Sequence, residues 1–530
     1  MINIRRLSIT TMVLGLAACG GGGGDSSFSD RSASPYTPGT YLPASTYAGK
    51  CAAPRSGTDP ITHTAYPDTK GSTTDENNWL RSWTNDLYLW YSEAPDVDPS
   101  SVQATLDYFD LLKTSAKTST GADKDRFHFW ETTAEWEALS QSNTEVGYGV
   151  QFEVTASKPP RHIVVAYTDA GAAASQPPAS IARGATVLAI DGVDLNTATK
   201  EGVQTLNNGL SPSAAGESHT FVIQDQGTST SRSVTLTAAT VNTPSVGMTK
   251  TLAAGTGTVG YLLFNSHLAG AEKELVDAVN TLKSANVTDL VLDIRYNGGG
   301  FLDIASELAY MIAGPQMTAG QTFELVQFNS KHPSTNPVTG SAISPTPFWT
   351  TTLGLSLTRG QALPTLNLQK VYVLTTSATC SASEAVINSL QGVGVQVIQV
   401  GTTTCGKPYG FYPQDNCGTT YFSIQFQGVN ARNFGAYSDG FVPTPAMTAS
   451  TGSDSKLPGC AVQDDFTHAL GDQNESLLFT ALSLQATHSC GTPPAGLGQD
   501  VGAKFMTRGQ QSGYLVRSRM REIRILRPET

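Results

Sequence analysis

Short apolar runs alternate with helix-like stretches between residues 259 and 400 of this 530-residue chain. The runs at 259–264, 288–295, 371–374 and 395–400 have the length and the Val, Ile and Leu content of buried strands. Helical spacing separates them, and a helix is predicted over 381–390. Strands that alternate with helices predict an α/β core, which we place at residues 243–490.

The regions on either side of this core have other patterns. Residues 75–142 carry an aromatic stripe that includes Trp79, Trp83 and Trp90, and they predict a small helical domain packed through these rings. Residues 491–530 hold seven basic and three acidic side chains. We expect this basic tail to be solvated or disordered rather than bound to anionic lipid.

The N-terminus has the pattern of an export signal. Two arginines precede an apolar stretch, and Leu16-Ala17-Ala18-Cys19 resembles the cleavage box of bacterial lipoproteins. Residues 1–18 are therefore predicted to be a lipoprotein signal peptide and Cys19 the lipidated residue; an ordinary signal peptide is the alternative. Residues 19–74 are predicted to form a flexible tether. The apolar stretch is too short to remain as a membrane span, so the acyl chain would be the anchor.

Cysteine number and net charge narrow the class of protein. Six cysteines remain after Cys19, and an even count in an exported chain predicts disulfides, although six allow fifteen pairings. Cys460 and Cys490 flank one helical stretch and are candidates to pair. Cys405 could bridge to Cys380 or to Cys417. The net charge of −11 argues against a general nucleic-acid binder.

Two glycine-bearing loops bracket one serine and one lysine. Asn297-Gly-Gly-Gly300 follows a predicted strand, and the backbone N–H groups of such a loop can hold an oxyanion. Ser381 opens the next predicted helix, and Lys407 follows the strand at 395–400. A serine hydroxyl becomes a nucleophile when a base removes its proton, and a neutral lysine can be that base. The pattern predicts a serine hydrolase that uses lysine rather than histidine.

These motifs resemble those of the C-terminal processing, or tail-specific, serine peptidases. The resemblance covers roughly residues 75–485 and rests on Asp293-Ile-Arg-Tyr-Asn-Gly-Gly-Gly300, Ser381-Ala-Ser-Glu384 and Thr404-Cys-Gly-Lys407, in that order. It implies a crotonase-like core with Ser381 as nucleophile and Lys407 as general base. It implies that the backbone N–H groups of Gly298, Gly299 and Ala382 hold the oxyanion. It also implies that Glu384 and Thr404 are supporting residues.

The resemblance includes a PDZ-like, β-rich domain at residues 143–242, upstream of the catalytic core. Its glycine-bearing loop at Gly147, Tyr148, Gly149 and Val150 runs into an alternating strand. Domains of this type bind the C-terminal carboxylate of a peptide on backbone N–H groups and add the peptide as a strand. A β-domain with only a packing role is the alternative.

One position departs from the family pattern. Many members have Gln four residues after the lysine, where it steadies the amine, but this chain has Phe411. Another group must therefore position Lys407, or the dyad is weaker than usual.

Three rival interpretations use the same residues. Residues 401–407 read Gly-x-x-x-x-Gly-Lys, but Pro408 stands where a phosphate-binding loop needs Ser or Thr. His267 could serve a Ser-His-Asp triad, yet no Gly-x-Ser-x-Gly elbow surrounds Ser381. Ser383 is a rival nucleophile, and Ser381 could be a plain helix N-cap that forms a capping box with Glu384. No zinc-like ligand spacing is present, so neither metal nor cofactor is expected.

Two functions follow from the sequence. The first is a lipid-anchored serine endopeptidase of the bacterial cell envelope, on the outer membrane facing the periplasm. It would cleave exported proteins or peptides with free C-termini through an acyl-enzyme. The second is a catalytically silent, PDZ-type peptide-binding lipoprotein, for which the absence of Gln at position 411 is the support.

Overall fold

The computed structural model describes residues 36–59, 63–254, 257–445, 451–494, 498–499 and 524–526. The predicted signal peptide and Cys19 lie outside the described residues and stay predictions. In the described part of the chain, no helix is both long and apolar enough to cross a membrane.

The N-terminal region packs its aromatic residues together. Ser72 caps the first long helix, where its hydroxyl accepts the Asp75 N–H, and the rings of Trp79 and Trp83 stack at 5.3 Å. The Trp residues of the sequence pattern at 79 and 83 are thus packing residues. The elements of this region are β1 (Lys50–Cys51), β2 (Thr69–Lys70), α1 (Thr73–Leu87), α2 (Thr105–Leu111), β3 (Phe129–Thr132) and α3 (Thr133–Ser142).

The prediction of a flexible tether over 19–74 is wrong for residues 36–59 and 63–74. β1 pairs with β2, and the Cys51–Cys417 disulfide ties this segment to the core. The Arg81 guanidinium also donates to the carbonyl of Thr40 at 2.9 Å. Local composition predicts flexibility, but these links join residues far apart in the chain.

Residues 143–242 form a separate antiparallel sheet with one helix. The strand order is β10-β9-β7-β6-β5, β8 pairs with β7, and β4 pairs with β11. Strand β5 lies at one edge of the larger sheet. The PDZ-like assignment of this region stays a prediction. Its elements are β4 (Thr144–Gly147), β5 (Val150–Ala156), β6 (His162–Thr168), β7 (Thr186–Ile190), β8 (Val193–Asp194), α4 (Lys200–Leu210), β9 (Ser218–Gln224), β10 (Ser231–Thr237) and β11 (Ala239–Asn242).

The core combines helices with a sheet of seven strands in the order β12-β13-β14-β18-β19-β25-β24. All neighbours are parallel except β12 and β13. The α/β prediction is therefore confirmed. Its first elements are β12 (Val246–Ala254), β13 (Gly257–Phe264), α5 (Ala271–Ser284), β14 (Asp289–Asp293), β15 (Gly300–Phe301), α6 (Leu302–Ala313), α7 (Pro315–Thr318), β16 (Thr322–Phe328), β17 (Thr346–Pro347), β18 (Lys370–Thr375), α8 (Ala382–Gly392) and β19 (Gln396–Gly401).

The remaining elements cover and extend this sheet. They are β20 (Tyr409–Gly410), β21 (Gln414–Asn416), β22 (Thr419–Phe422), β23 (Phe426–Val429), β24 (Val442–Thr444), β25 (Lys456–Ala461), β26 (Asp464–Asp465), α9 (Ser476–Thr487), β27 (Gly498–Gln499) and β28 (Arg524–Ile525). Strand β22 pairs with β3, which joins the N-terminal region to the core.

The structure shows which cysteines pair. Cys460 bonds Cys490 as expected, and Cys405 bonds Cys380 rather than Cys417.

The prediction of a solvated tail over 491–530 is wrong at β28, where Ile525 is 2% exposed within the main apolar core. Burial of an apolar side chain is favourable even when its neighbours in the sequence are basic, and this explains why Ile525 packs into the core.

A buried charge cluster connects the 143–242 region to the core. The Arg295 guanidinium bonds Asp464 at 2.7 Å and Glu475 at 2.8 Å, and Arg183 of the 143–242 region bonds the same Asp464 oxygen at 2.8 Å. Burial alone would raise the pKa of Asp464, but the two guanidiniums hold it below its usual value. Paired charges of this kind fix the relative positions of the segments that carry them.

Two carboxyl groups meet beneath the loop at 353–357. Glu272 accepts the backbone N–H groups of that loop, including those of Leu353 at 2.6 Å and Leu357 at 2.7 Å. Glu307 is also buried, and burial together with the charge of Glu272 raises its pKa to about 9. Glu307 is therefore protonated near neutral pH.

We predict that Glu307→Gln stabilises the protein at pH 8 but not at pH 5. Because the folded-state pKa lies above the unfolded value, the wild type loses stability as pH rises from about 4.5 to 9. A neutral amide removes that loss, and each kcal/mol shifts the melting temperature by about 2 °C or less in a chain of 530 residues, because the shift per kcal/mol falls with chain length. Melting temperatures at both pH values test this, with the exposed Glu201→Gln as control. Equal differences at the two pH values would contradict the protonated state of Glu307.

Candidate active site

Four segments that leave neighbouring parallel strands at their carboxyl ends come together. They follow β13, β14, β18 and β19, and this edge of an α/β sheet is where such folds place their sites. Backbone hydrogen bonds join the segments, from Cys380 N to Asn297 O at 3.1 Å, from Cys405 N to Thr379 O at 3.0 Å and from His267 N to Gly299 O at 2.9 Å. The glycine loop, the serine and the lysine of the sequence motifs are thus brought to one place.

Ser381 has an unusual backbone conformation. Its φ is 65° and its ψ is −113°, at the turn between the loop after β18 and helix α8. A non-glycine residue in this region costs about 1–3 kcal/mol, and such strain is often found at functional turns that present a nucleophile. The sequence motif gives no sign of this turn, because no flanking Gly-x-Ser-x-Gly is present.

The hydroxyls of Ser381 and Ser383 differ in their partners. The Ser383 Oγ donates to the Asn297 carbonyl at 2.9 Å, so it holds the glycine loop in place. The Ser381 Oγ is buried and has no hydrogen-bond partner within the described residues. This contrast favours Ser381 over Ser383 as the nucleophile. Ser381 and Glu384 also form the predicted capping box, in which Glu384 accepts the Ser381 N–H, so the cap and a catalytic role are compatible.

Glu384 joins the serine segment to the lysine segment. Its Oε2 accepts the backbone N–H of Ser381 at 2.9 Å and that of Lys407 at 2.8 Å. Its Oε1 accepts the Thr404 hydroxyl at 2.6 Å and the Gly406 N–H at 2.8 Å. Burial raises the pKa of Glu384, and these hydrogen bonds partly oppose the rise. Glu384 thus links the two segments through hydrogen bonds, and the supporting role of Glu384 and Thr404 stays a prediction.

The lysine loop has little freedom. The Phe441 N–H donates to the Thr404 Oγ1 at 2.7 Å. Gly406 has a φ of +80°, and a Cβ there would lie 2.4 Å from the Ser438 carbonyl oxygen. Both contacts come from the segment at 438–441, so this later segment fixes the path of the chain into Lys407.

The Lys407 amine lies between two aromatic rings. It is 4.6 Å from the ring centroid of Phe411 and 5.0 Å from that of Phe127, and the residue is fully buried. Phe411 therefore contacts the amine from the position where the family commonly has Gln. Aromatic faces attract a cation, whereas burial disfavours it, so the two effects oppose each other at this amine.

The N-terminal region contributes residues that sequence reasoning missed. Arg126, next to Phe127, donates to the carbonyls of Cys405 at 2.6 Å and Ser438 at 3.1 Å. These residues were predicted only as part of a helical domain with an aromatic core. Nothing in their local pattern indicates a contact with residues about 280 positions later.

The three predicted oxyanion donors differ in availability. The Gly299 N–H is already donated to the Asn297 Oδ1 at 3.0 Å. The N–H groups of Gly298 and Ala382 have no acceptor among the described residues. The Asn297 side chain, which sequence reasoning did not single out, shapes this loop because its Nδ2 also donates to the Phe264 carbonyl at 3.0 Å.

Two rival chemistries do not fit the geometry. His267 is buried against Phe264, its Nδ1 contacts Asn297 Oδ1 at 3.1 Å, and its Nε2 has no partner among the described residues. Burial lowers the pKa of His267 to about 3, and no Ser–His hydrogen bond is present in the described site. The phosphate-loop reading of 401–407 also fails, because β20 rather than a helix follows Pro408.

One group of potential metal ligands lies at the site. Cys380, Glu384 and Cys405 place ligand atoms close together. The two sulfurs are joined in a disulfide, however, and a thiolate is the form of cysteine that binds metals. These residues therefore fit a structural bridge better than a metal centre.

The predicted peptide-binding loop has internal packing roles. The Tyr148 hydroxyl donates to the Gly209 carbonyl at 3.0 Å, and Val150 starts β5. Gly149 has a φ of +66°, and a Cβ there would lie 2.1 Å from that of Ala172. Gly147 pairs with Ala239 in the ribbon of β4 and β11. Peptide binding by these four residues stays a prediction.

A small pocket lies between this region and the glycine loop. It is lined by Glu145, Tyr167 and Asp169 on one side, and by Asn265, Ser266 and Gly299 on the other. The pocket thus reaches the glycine loop at Gly299, whereas Ser381 and Lys407 are not part of its lining.

Comparison with known proteins agrees with this arrangement. Residues 258–411 match the model of peptidase family S41. Over 227 residues the chain is 26% identical to a carboxyl-terminal-processing protease of Picosynechococcus sp., a match that spans 42% of this chain and 45% of that relative. The resemblance to the C-terminal processing peptidases is confirmed.

A solved structure of an S41 protease from Bacteroides fragilis has the same fold. It is aligned with a TM-score of 0.53 and 22% identity over 78% of this chain and 97% of its own. This likeness shows the fold, and the support for a peptidase comes from the S41 match over residues 258–411.

We predict that the Cys380–Cys405 bridge positions the site in addition to stabilising the fold. Replacing both residues with Ala should lower the free energy of unfolding by about 3 kcal/mol, because the bridge joins positions 25 residues apart. Peptide hydrolysis should fall about tenfold or more, because small displacements of reacting groups are costly.

The Cys460–Cys490 pair is a matched control, with a separation of 30 residues. Its double Ala variant should lose similar stability in urea unfolding and keep most of the hydrolysis rate. Equal losses of hydrolysis in the two variants would show that the Cys380–Cys405 bridge acts only through global stability.

Proposed function

We propose that this protein is a serine endopeptidase of the C-terminal processing type, with Ser381 as nucleophile and Lys407 as general base. One observation carries the proposal. A single carboxylate oxygen of Glu384 accepts the backbone N–H of both residues, while the Ser381 hydroxyl has no partner among the described residues. The reacting residues are thereby fixed next to each other and one hydroxyl is left for chemistry.

The reaction follows from these roles. Neutral Lys407 takes the hydroxyl proton as the Ser381 oxygen attacks the peptide carbonyl carbon, and the carbonyl oxygen becomes an oxyanion. The N–H groups of Gly298 and Ala382 would stabilise that oxyanion. The Lys407 ammonium then gives its proton to the leaving amine, and an acyl-enzyme remains. Water, deprotonated by Lys407, attacks the ester and releases a carboxylic acid and the free serine.

The surroundings of Lys407 bear on its ability to act as a base. Full burial disfavours the ammonium form of Lys407. The faces of Phe411 and Phe127 act in the opposite direction, because they stabilise a cation. The proposed mechanism requires that Lys407 be neutral when it accepts the proton of the Ser381 hydroxyl.

Substrate delivery would use the 143–242 region. Its strand β5 lies at a sheet edge, where an extended peptide can add as a further strand, and a pocket lined by Glu145, Tyr167 and Asp169 reaches Gly299. We propose a PDZ-like peptide-binding role for it, a crotonase-like core for residues 243–490 and exported proteins with free C-termini as substrates. A lipid anchor at Cys19 would hold the enzyme on the outer membrane, facing the periplasm.

The first test is cleavage of an unfolded protein with an apolar C-terminus over pH 6 to 10. We expect hydrolysis by the wild type and a loss of about a thousandfold or more in Ser381→Ala and in Lys407→Ala, because each removes one member of the dyad. The Ser383→Ala variant is the control and should retain turnover above that of Ser381→Ala. If the wild type binds the peptide without cleaving it, the silent binding protein is the correct function.

We also predict that Phe411→Leu moves the alkaline rise of kcat/KM to lower pH. Leu keeps the site apolar but removes a ring face that stabilises the ammonium form by about 0.5–1 kcal/mol or more. A shift of up to about one pH unit is expected, since one unit corresponds to about 1.36 kcal/mol.

The matched control for this shift is Phe348→Leu, which removes a buried ring that packs on Phe323. Its pH profile should coincide with that of the wild type. An unchanged midpoint in Phe411→Leu, or a rise, would show that the ring does not favour the charged lysine.

A further inference from the structure

The segment at 524–526 lies between the two loops that carry the proposed catalytic groups. Strand β28 pairs in parallel with β15, with Gly300 opposite Arg524 and Phe301 opposite Ile525. On its other side, Ile525 bridges to Phe411, and the Leu526 N–H donates to the Phe411 carbonyl at 3.3 Å. The segment therefore occupies a strand position with main-chain partners on both sides.

The walls of this position are parts of the candidate site. Gly300 directly follows the Gly298–Gly299 pair, and Phe411 lies four residues after Lys407. Gly300 also bridges to His267 on the side away from β28. From one side to the other, the neighbouring strands and residues are thus His267, β15, β28 and Phe411. An extended peptide in the position of β28 therefore runs between the glycine loop and the segment that follows Lys407.

The side chain of Ile525 fills an apolar space in this slot. It is 2% exposed and belongs to the same apolar cluster as Phe301 and Phe411, and Leu526 packs against that cluster. A buried aliphatic side chain contributes about 1.5–3 kcal/mol. Main-chain pairing combined with a pocket for one side chain is the way in which proteins bind extended peptides by strand addition.

The accessibility of the dyad supports the same interpretation. Ser381 and Lys407 are both fully buried. A substrate carbonyl must reach the Ser381 oxygen, so some part of the surroundings has to leave before the reaction. Among the described residues, the 524–526 segment pairs with two residues of β15 on one side and with Phe411 on the other, and it is not a strand of the core sheet.

We propose that the groove between β15 and Phe411 binds an extended peptide with a branched aliphatic side chain, and that the chain's own residues 524–526 fill it in competition with substrate. This inference rests on the proposed peptidase function for its kinetic consequence, but not for the binding itself. The protein is thereby self-blocked, and displacement of the segment opens the site. An occupant present about nine-tenths of the time lowers the apparent affinity for substrate about tenfold.

The test removes residues 524–526 from the groove in the full chain. Ile525→Asp places a charge in an apolar pocket and should expel the segment, which raises kcat/KM for a peptide substrate about tenfold. Ile525→Val keeps a branched aliphatic side chain and retains the block. Deletion of residues 520–530 is a second way to empty the slot, and a melting temperature shows that each variant is folded.

A binding measurement separates this inference from the peptidase proposal. A labelled peptide with the sequence of residues 520–530 is titrated into the Ser381→Ala, Ile525→Asp double variant and followed by fluorescence anisotropy. We expect saturable binding, about tenfold weaker for the peptide in which Asp replaces the isoleucine. The unlabelled peptide should compete with substrate in the active Ile525→Asp variant.

The outcomes are distinct. Binding of the peptide without any hydrolysis by the vacated variants supports the slot and contradicts the peptidase. Hydrolysis that is equal in the wild type and both vacated variants, with no difference in binding between the two peptides, overturns the self-block and leaves the peptidase proposal standing.

Discussion

The buried carboxylate of Glu384 is the constraint on which the candidate site depends. A carboxylate removed from water is stable only when hydrogen-bond donors surround it, and here the donors come from Ser381, Thr404, Gly406 and Lys407. These donors belong to two loops that follow different strands. The loops cannot separate without leaving the carboxylate unsatisfied, so the need to solvate one buried group also fixes the spacing of serine and lysine.

Segments that are far away in the sequence also hold the loop of Lys407 in place. Arg126 and Phe127 come from the N-terminal region, and the Cys51–Cys417 bond holds that region against the core. Behind the glycine loop, Arg183 and Arg295 share Asp464. The site is therefore built from three parts of the chain, and its geometry is coupled to the docking of the N-terminal and 143–242 regions.

Local patterns predicted the core strands and helices, the α/β class and the residues at the strand ends, because burial on a sheet and capping of a helix depend on near neighbours. Contacts between residues far apart in the sequence could not be predicted from these local patterns. The ring of Phe127 on Lys407, the Asn297 bond to Gly299 and the order in residues 36–59 depend on packing that no short window contains. The left-handed turn at Ser381 was also missed, because strain is imposed by the surrounding fold.

Burial of Ser381 and Lys407 favours the proposed chemistry but hinders the entry of substrate. Exclusion of water favours a neutral lysine and strengthens the oxyanion contacts. The same exclusion closes the path to substrate. A short strand held at its two edges resolves the conflict, since its few main-chain bonds and one buried side chain are worth little beside the core sheet of seven strands. A peptide that offers the same bonds can replace it and keep the site dry, so the environment that the lysine needs persists through the exchange.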